Sequence, residues 1–197
     1  QKNKIFELGQ QIGTRQQIIA YRRQQVTFDG PTIRRAEKLY NGEVAFTDAQ
    51  VDRLLTELDK LGLRDRTIVA FTADHGEEFL DHGGFEHGHT LYNELVHVPL
   101  IIRWPGRLSP AEVPGTVGLI DVAPTLCAQA GVKPASTFAG HSLFPEGKTP
   151  VHPPAPILIE GNFWGPPLRG LVDGSYKLIV TPQQFAAALK VEVARYA

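Results

Sequence analysis

The 197-residue chain contains no methionine and opens Gln1-Lys2-Asn3-Lys4. It is therefore expected to be a fragment or a processed chain whose first part is absent, and any targeting signal could have gone with that part. A single cysteine, Cys127, excludes an intrachain disulfide and leaves the redox compartment unread. Acidic and basic residues nearly balance, 21 against 20, for a formal net charge of −1. A nucleic-acid-binding domain normally carries a basic face, so no nucleic-acid partner is expected. No apolar run approaches the ~18 residues that cross a bilayer, so no membrane span is expected. No secretory signal opens the sequence, and there is no internal repeat or low-complexity tract.

What is present suits a globular chain. Hydrophobic residues make up 42% and charged residues 21%, enough to bury a core in one domain with a small additional lobe. One stretch organises the rest. Thr67-Ile68-Val69-Ala70-Phe71-Thr72 is short, apolar and β-branched, and reads as a buried strand. It ends in Asp74-His75-Gly76-Glu77-Glu78. The carboxyl end of a strand in an open α/β sheet is where ligands bind. Five of the seven histidines fall between His75 and His97, among Asp74, Glu77, Glu78, Asp81, Glu86 and Glu94. The bland alternative is a solvated, charged loop. The density of oxygen and nitrogen donors behind a strand favours a metal or anion site, because such groups need partners when they are enclosed.

Taken in order, residues 1–31 form a loose helical or disordered segment, in which Ile5, Leu8 and Ile12 and then Ile18, Ile19 and Tyr21 give a weak helical period. Asp29-Gly30-Pro31-Thr32 is a turn in which Thr32 can cap a helix. Residues 33–62 read as helix with a break near Asn41-Gly42. Val44, Val51, Leu54, Leu55 and Leu58 step by the helical period, Asp48 and Asp52 face solvent or cap locally, and Gly62 is the stop. Val98 to Trp104 reads as a second buried strand with Pro99 at its start. Residues 118–130 are helical, ended by Gly131, and Cys127 beside their apolar face suits a core thiol better than a nucleophile. Residues 132–155 are proline-rich and aperiodic, with His141 and His152 on the surface. Strands follow at 156–160, 168–172 and 176–180, with Asp173-Gly174 as a hairpin signal, and residues 185–196 read as a closing amphipathic helix. The expected fold class is thus α/β: a layered central mixed sheet flanked by helices over residues 32–150, and a small C-terminal antiparallel lobe over 151–197.

Several pieces, in order, carry a resemblance. They are Tyr40-Asn41-Gly42-Glu43-Val44 with Asp48, the run from Thr67 through Glu77, and His87-Gly88-His89-Thr90-Leu91-Tyr92-Asn93-Glu94. Val98-Pro99-Leu100-Ile101-Ile102, Asp121-Val122-Ala123-Pro124-Thr125-Leu126, Gly131, Gly140-His141-Ser142-Leu143 and Tyr176-Lys177-Leu178-Ile179 complete the set. Over residues 40–180 the chain resembles the C-terminal half of a sulfatase, within the alkaline-phosphatase-like superfamily. The resemblance implies hydrolysis of a small-molecule or saccharide sulfate ester with the help of a divalent cation. The cation's ligands would be an early aspartate pair and an Asp-Asn or Asp-His step, here Asp74 and His75. It would be Ca²⁺ by family, and the nitrogen of His75 tilts the set toward Mn²⁺ or Zn²⁺. His87 matches the basic position that touches the sulfate, and His89 is the next candidate.

The departures are large. The Cys/Ser-x-Pro-x-Arg motif that yields a formylglycine nucleophile does not occur, since Cys127 is followed by Ala-Gln-Ala, and the early aspartate pair is missing. Both would lie in an N-terminal half preceding residue 1, so this chain is expected to hold part of a site and to be inactive alone. The alternatives are a phosphodiesterase, a phosphonate hydrolase or a phosphoethanolamine transferase of the same superfamily, or a non-catalytic metal-binding remnant. The family implies a periplasmic or extracellular setting, while the residues leave location open.

Overall fold

The computed structural model describes residues 14–144, 156–161, 163 and 165–184. The expected period at Ile5, Leu8 and Ile12, the surface position of His152, the border at 150/151 and the helix at 185–196 lie outside these residues. Two compact units are present, one formed by Gln1–Asp65 with Gly76–His87, the other by Arg66–His75 with Gly88–Ala197. No helix among the described residues is long and apolar enough to cross a membrane.

In the first unit, α1 (Arg15–Arg22) is opened by a reciprocal cap between Thr14 and Gln17. α2 (Gly30–Lys60) is a single helix of 31 residues. Its cap is Asp29 rather than Thr32: the Asp29 carboxylate accepts the Thr32 N–H at 2.8 Å, and Pro31 occupies the first turn. The expected break at Asn41-Gly42 does not occur, because one glycine costs a helix only about 1 kcal/mol. Gly62 ends α2 as expected, at φ +65°. Its N–H bonds the Asp59 carbonyl and that of Leu63 the Leu58 carbonyl, at 3.0 and 2.9 Å, the paired closure of a Schellman turn. A hairpin of β2 (Glu78–Phe79) and β3 (Phe85–Glu86) completes the unit.

The core of this unit is aromatic. Phe28, Ile33, Ala36 and Phe85 are buried together, with Tyr21, Phe79 and Leu80 packed around them. Tyr21 stacks on Phe28 at 4.9 Å between centroids, and Phe28 meets Phe85 edge-on at 4.8 Å. Tyr40 of α2 meets Phe79 edge-on at 5.4 Å. Further along α2, Val44, Phe46 and Leu54 are exposed, and so are Asp48 and Asp52, while Val51, Leu55 and Leu58 are half-buried.

In the second unit, β1 (Val69–Thr72) pairs antiparallel with β4 (Leu100–Arg103). The Thr72 hydroxyl donates to the Pro99 carbonyl at 2.8 Å. These strands were expected to be buried, but the cross-strand neighbours Phe71 and Ile101 are 41% and 59% exposed. Among the described residues β1 pairs with β4 alone, and every strand pairing is antiparallel. A wider mixed sheet is therefore not formed by these residues.

The short α3 (Asn93–Val96) precedes β4. A 3₁₀ turn (Leu119–Asp121) leads into α4 (Val122–Gln129), closed by Gly131 at φ +70°. Pro124 and Thr125 are the buried residues of α4, and Val122 and Leu126 are half-buried. Thr125 is 1% exposed. Its hydroxyl donates to the Asp121 carbonyl at 2.6 Å and accepts the Leu143 N–H at 2.9 Å. The Asp121 carboxylate accepts the N–H of His141 at 2.8 Å, and Gln129 reaches the Phe144 carbonyl at 3.2 Å. Residues 140–144 are thus tied down along α4. His141 itself is exposed, as expected.

The C-terminal sheet has the order β5 (Ile157–Gly161), β6 (Leu168–Asp173), β7 (Tyr176–Val180), all antiparallel, matching the expected antiparallel strands; it belongs to the second unit. Its β6–β7 loop is Gly174-Ser175, with Gly174 at φ +56° supplying the positive dihedral of a primed hairpin turn. Gly161 and Gly170 make room for Leu91, whose methyl carbons lie 2.8 and 3.3 Å from where their Cβ atoms would be. Lys177 on β7 donates to Asn93 of α3 at 2.9 Å, and burial lowers its pKa while the Glu94 charge opposes that shift.

Two glycines make opposite predictions. A Cβ at Gly140 would sit 2.1 Å from the Ile120 carbonyl oxygen, a backbone atom that cannot swing away, whereas nothing lies within 4 Å of one at Gly42. Gly140→Ala is expected to destabilise the chain by about 3 kcal/mol, the upper end for overpacking. Gly42→Ala is expected to stabilise it by about 0.5–1 kcal/mol. Urea unfolding followed by circular dichroism distinguishes the two. The Asp29 cap adds a pH dependence. Hydrogen bonds from the Thr32 side chain and N–H lower the Asp29 pKa, so its contribution is complete above the ordinary carboxylate pKa and is lost as pH falls through the depressed one. The thermal midpoint of Asp29→Ala should therefore lie below wild type at neutral pH, and the gap should close in acid.

Candidate active site

The strand β1 ends at Thr72, and Asp74 and His75 follow as the chain leaves it. The Asp74 carboxylate accepts the His75 backbone N–H at 3.1 Å through Oδ1, and Oδ2 lies 3.7 Å from His75 Nε2. Both side chains therefore occupy the same side of the backbone. They are open to solvent, 89% for Asp74 and 43% for His75. Two ligands about 2.1 Å from one cation stand roughly 3 Å apart at a right angle. A closure of under an ångström would thus bring this oxygen–nitrogen pair onto a single ion, and a hard carboxylate with an imidazole suits Mn²⁺ or Zn²⁺ as well as Ca²⁺.

The hairpin β2–β3 is built around Glu78, which is 0% exposed. Its Oε1 accepts the N–H groups of His82 and Gly84 at 2.9 and 2.7 Å. The sequence suggested Glu78 as one donor among many in a ligand-rich loop, but these bonds give it a structural task. The Tyr21 hydroxyl donates to the Gly83 carbonyl at 2.9 Å, and burial, then the Glu78 charge, raise its pKa, so the phenol keeps its proton. Leu80 and Glu86 both hold positive φ, 72° and 75°, a conformation costly to residues with a Cβ. Packing against the aromatic core holds Leu80. Arg22 of α1 holds Glu86 through an ion pair.

His87 leaves this hairpin. Its Nδ1 lies 3.3 Å from both oxygens of Glu77, and the Arg22 guanidinium reaches its carbonyl at 3.5 Å. Both members of the His87–Glu77 pair are mostly enclosed, at 33% and 22% exposure. His89 belongs to the second unit and is half-buried, while His82 and His97 are exposed.

The structure thus joins Asp74 with His75 in one unit and His87 with Glu77 in the other. Sequence reasoning placed Glu77 among the donors without assigning it a partner, and missed Arg22 entirely. Phe79 and Phe85 flanking a loop with Gly83-Gly84 was a readable hairpin signal. Nothing in the sequence marks a contact between Arg22 and Glu86, 64 residues apart.

Comparison with known proteins bears on this arrangement. The family model described as Sulfatase matches residues 11–132, more than half of the chain. Arylsulfatase K of Mus musculus is 36% identical over 111 residues, 56% of this chain and 20% of that protein. N-acetylglucosamine-6-O-sulfatase of Bacteroides thetaiotaomicron is 37% identical over 116 residues, 56% of this chain and 21% of that protein. Among solved structures, one determined in complex with its substrate D-glucosamine-2-N,6-O-disulfate superposes with a TM-score of 0.67 at 28% identity, covering 84% of this chain and 36% of that one. The phosphonate monoester hydrolase of Silicibacter pomeroyi gives 0.68 at 26% identity, over 76% of this chain and 33% of that one. The chain spans about a fifth of the length of these curated relatives. Its described residues share the alkaline-phosphatase-like fold of the solved ones, and with more than half its length matched by the family model, the chain belongs to the sulfatase family.

Proposed function

We propose that the protein is a metal-assisted sulfuric ester hydrolase and that this chain supplies the part of its site carried by the C-terminal portion of the fold. The observation that supports this reading is the Asp74–His75 pair, presented side by side at the end of β1 within the family match. Asp74 and His75 are the proposed metal ligands, and β1 with β4 belongs on this reading to a layered central sheet that residues 32–150 build in part. A bound divalent cation supplies neutralisation of the charge that gathers on the sulfate oxygens. His87, when protonated, is the proposed contact to the sulfate or to the leaving oxygen, which its ring N–H would stabilise with a hydrogen bond, and His89 is the next candidate. The nucleophile lies outside the 197 residues on this reading, since no formylglycine motif occurs in them.

A sulfated saccharide is the proposed substrate class, in keeping with the relatives named for N-acetylglucosamine-6-O-sulfate and solved with a glucosamine disulfate. Similarity to a phosphonate monoester hydrolase at a TM-score of 0.68 favours phosphoryl chemistry as the second reading. A Cys or Ser in the formylglycine motif of the parent protein decides for the first reading, and another Thr or Ser nucleophile for the second.

Two measurements test this. Isothermal titration of the chain with Mn²⁺ and with Ca²⁺ should detect binding that Asp74→Ala weakens at least about tenfold, as expected when one of few ligands is removed. Binding indifferent to that substitution would remove the proposed metal site. Incubation of the chain with a chromogenic aryl sulfate and metal should give no turnover, whereas metal-dependent product would show that the 197 residues contain a nucleophile after all.

A further inference from the structure

We propose that Glu77 is the positioning residue of His87, accepting the ring's Nδ1 proton and so aiming Nε2, which donates when the ring is protonated, at the sulfate oxygen. The inference rests on the reading of His87 as the sulfate contact and adds a residue to it. Three features of the hairpin carry it. Both Glu77 oxygens are equidistant from Nδ1, at 3.3 Å, so the imidazole nitrogen stands on the open face of the carboxylate, where a proton is shared between the two oxygens. The pair is mostly enclosed, which strengthens the bond relative to water. The backbone beneath the ring is held separately: Arg22 pairs with Glu86 and reaches the His87 carbonyl. A ring whose main chain and Nδ1 are both tethered keeps one rotational choice.

The two ring nitrogens of a histidine are not equivalent, and the hydrogen bond made by one decides which proton the other carries. A carboxylate on Nδ1 excludes the tautomer in which Nδ1 is a bare acceptor. It also turns Nε2 away from Glu77, because the two nitrogens sit on different edges of the ring. Glu77 then acts on substrate only through His87. The proximity in sequence between Glu77 and His75 acquires a reason: the segment that leaves the proposed metal residues immediately supplies the orienter of the proposed sulfate contact.

The test is long-range ¹⁵N–¹H correlation on the full 197-residue chain, first without sulfate at a pH where the His87 ring is neutral, then with inorganic sulfate at a pH where it is protonated and both nitrogens donate. The neutral wild-type ring should be the Nδ1–H tautomer, and sulfate should shift the Nε2–H of the protonated ring. Glu77→Leu should return the ring to the Nε2–H form that free imidazoles prefer and weaken sulfate binding roughly tenfold to a hundredfold, the range for losing a residue that orients a functional histidine. Glu77→Asp, which keeps a carboxylate in reach, should restore part of both, and serves as the readout if Glu77→Leu does not fold. An Nε2–H ring in wild type, or a tautomer unchanged in both variants, overturns the positioning role. An Nδ1–H ring whose Nε2 ignores sulfate overturns the proposal from the other side, by removing the sulfate contact on which it rests.

Discussion

A carboxylate entirely withdrawn from water holds the hairpin together. Glu78 would be costly to enclose without partners, and the N–H groups of His82 and Gly84 meet it. Those two bonds fold the segment between β2 and β3 back on itself. The fold-back lets Phe79 and Phe85 face the same aromatic cluster and sets the direction in which the chain leaves toward His87. Tyr21 closes the other side of the loop through the Gly83 carbonyl. The left-handed residues Leu80 and Glu86 are tolerable only because core packing and an ion pair over-determine them.

The second unit uses the same logic with different parts. Thr125 and Asp121 do for residues 140–144 what Glu78 does for the hairpin: a short side chain offers an acceptor to backbone N–H groups that have no secondary structure to satisfy them. Leu91 is seated by the absence of side chains on Gly161 and Gly170. A loop leucine thereby gains a wall of sheet backbone, and the segment after His89 is located by packing rather than by a regular element. In both units functional candidates sit on irregular backbone, held by side-chain acceptors, beside regular elements that bury the apolar surface.

Much of this was legible in the residues. Apolar runs marked β1 and β4, the helical period marked α4, and glycine or proline borders marked the three C-terminal strands. The stops at Gly62 and Gly131 were readable since only glycine adopts their dihedrals readily. What escaped was tertiary. The Asn41-Gly42 step looks like a break in isolation, but a helix anchored at its N-terminal third by Ile33 and Ala36 carries through one unfavourable residue. The burial of β1 was overestimated because burial depends on what covers a strand, which no local pattern encodes. The pairing of Asp74 with His75 was visible as adjacency. That of Arg22 with Glu86 was not, since contacts across so many residues leave no mark in a single sequence.

The left-handed Glu86 narrows what substitution can do at one position. Glycine would relax the backbone there and release the Arg22 guanidinium from its anion. A β-branched residue would keep neither the dihedral nor the charge. Asparagine would tolerate the dihedral, but its amide offers no charge to Arg22. The residue is thus caught between two demands, one from its own main chain and one from a helix far away in sequence. Its identity records their compromise.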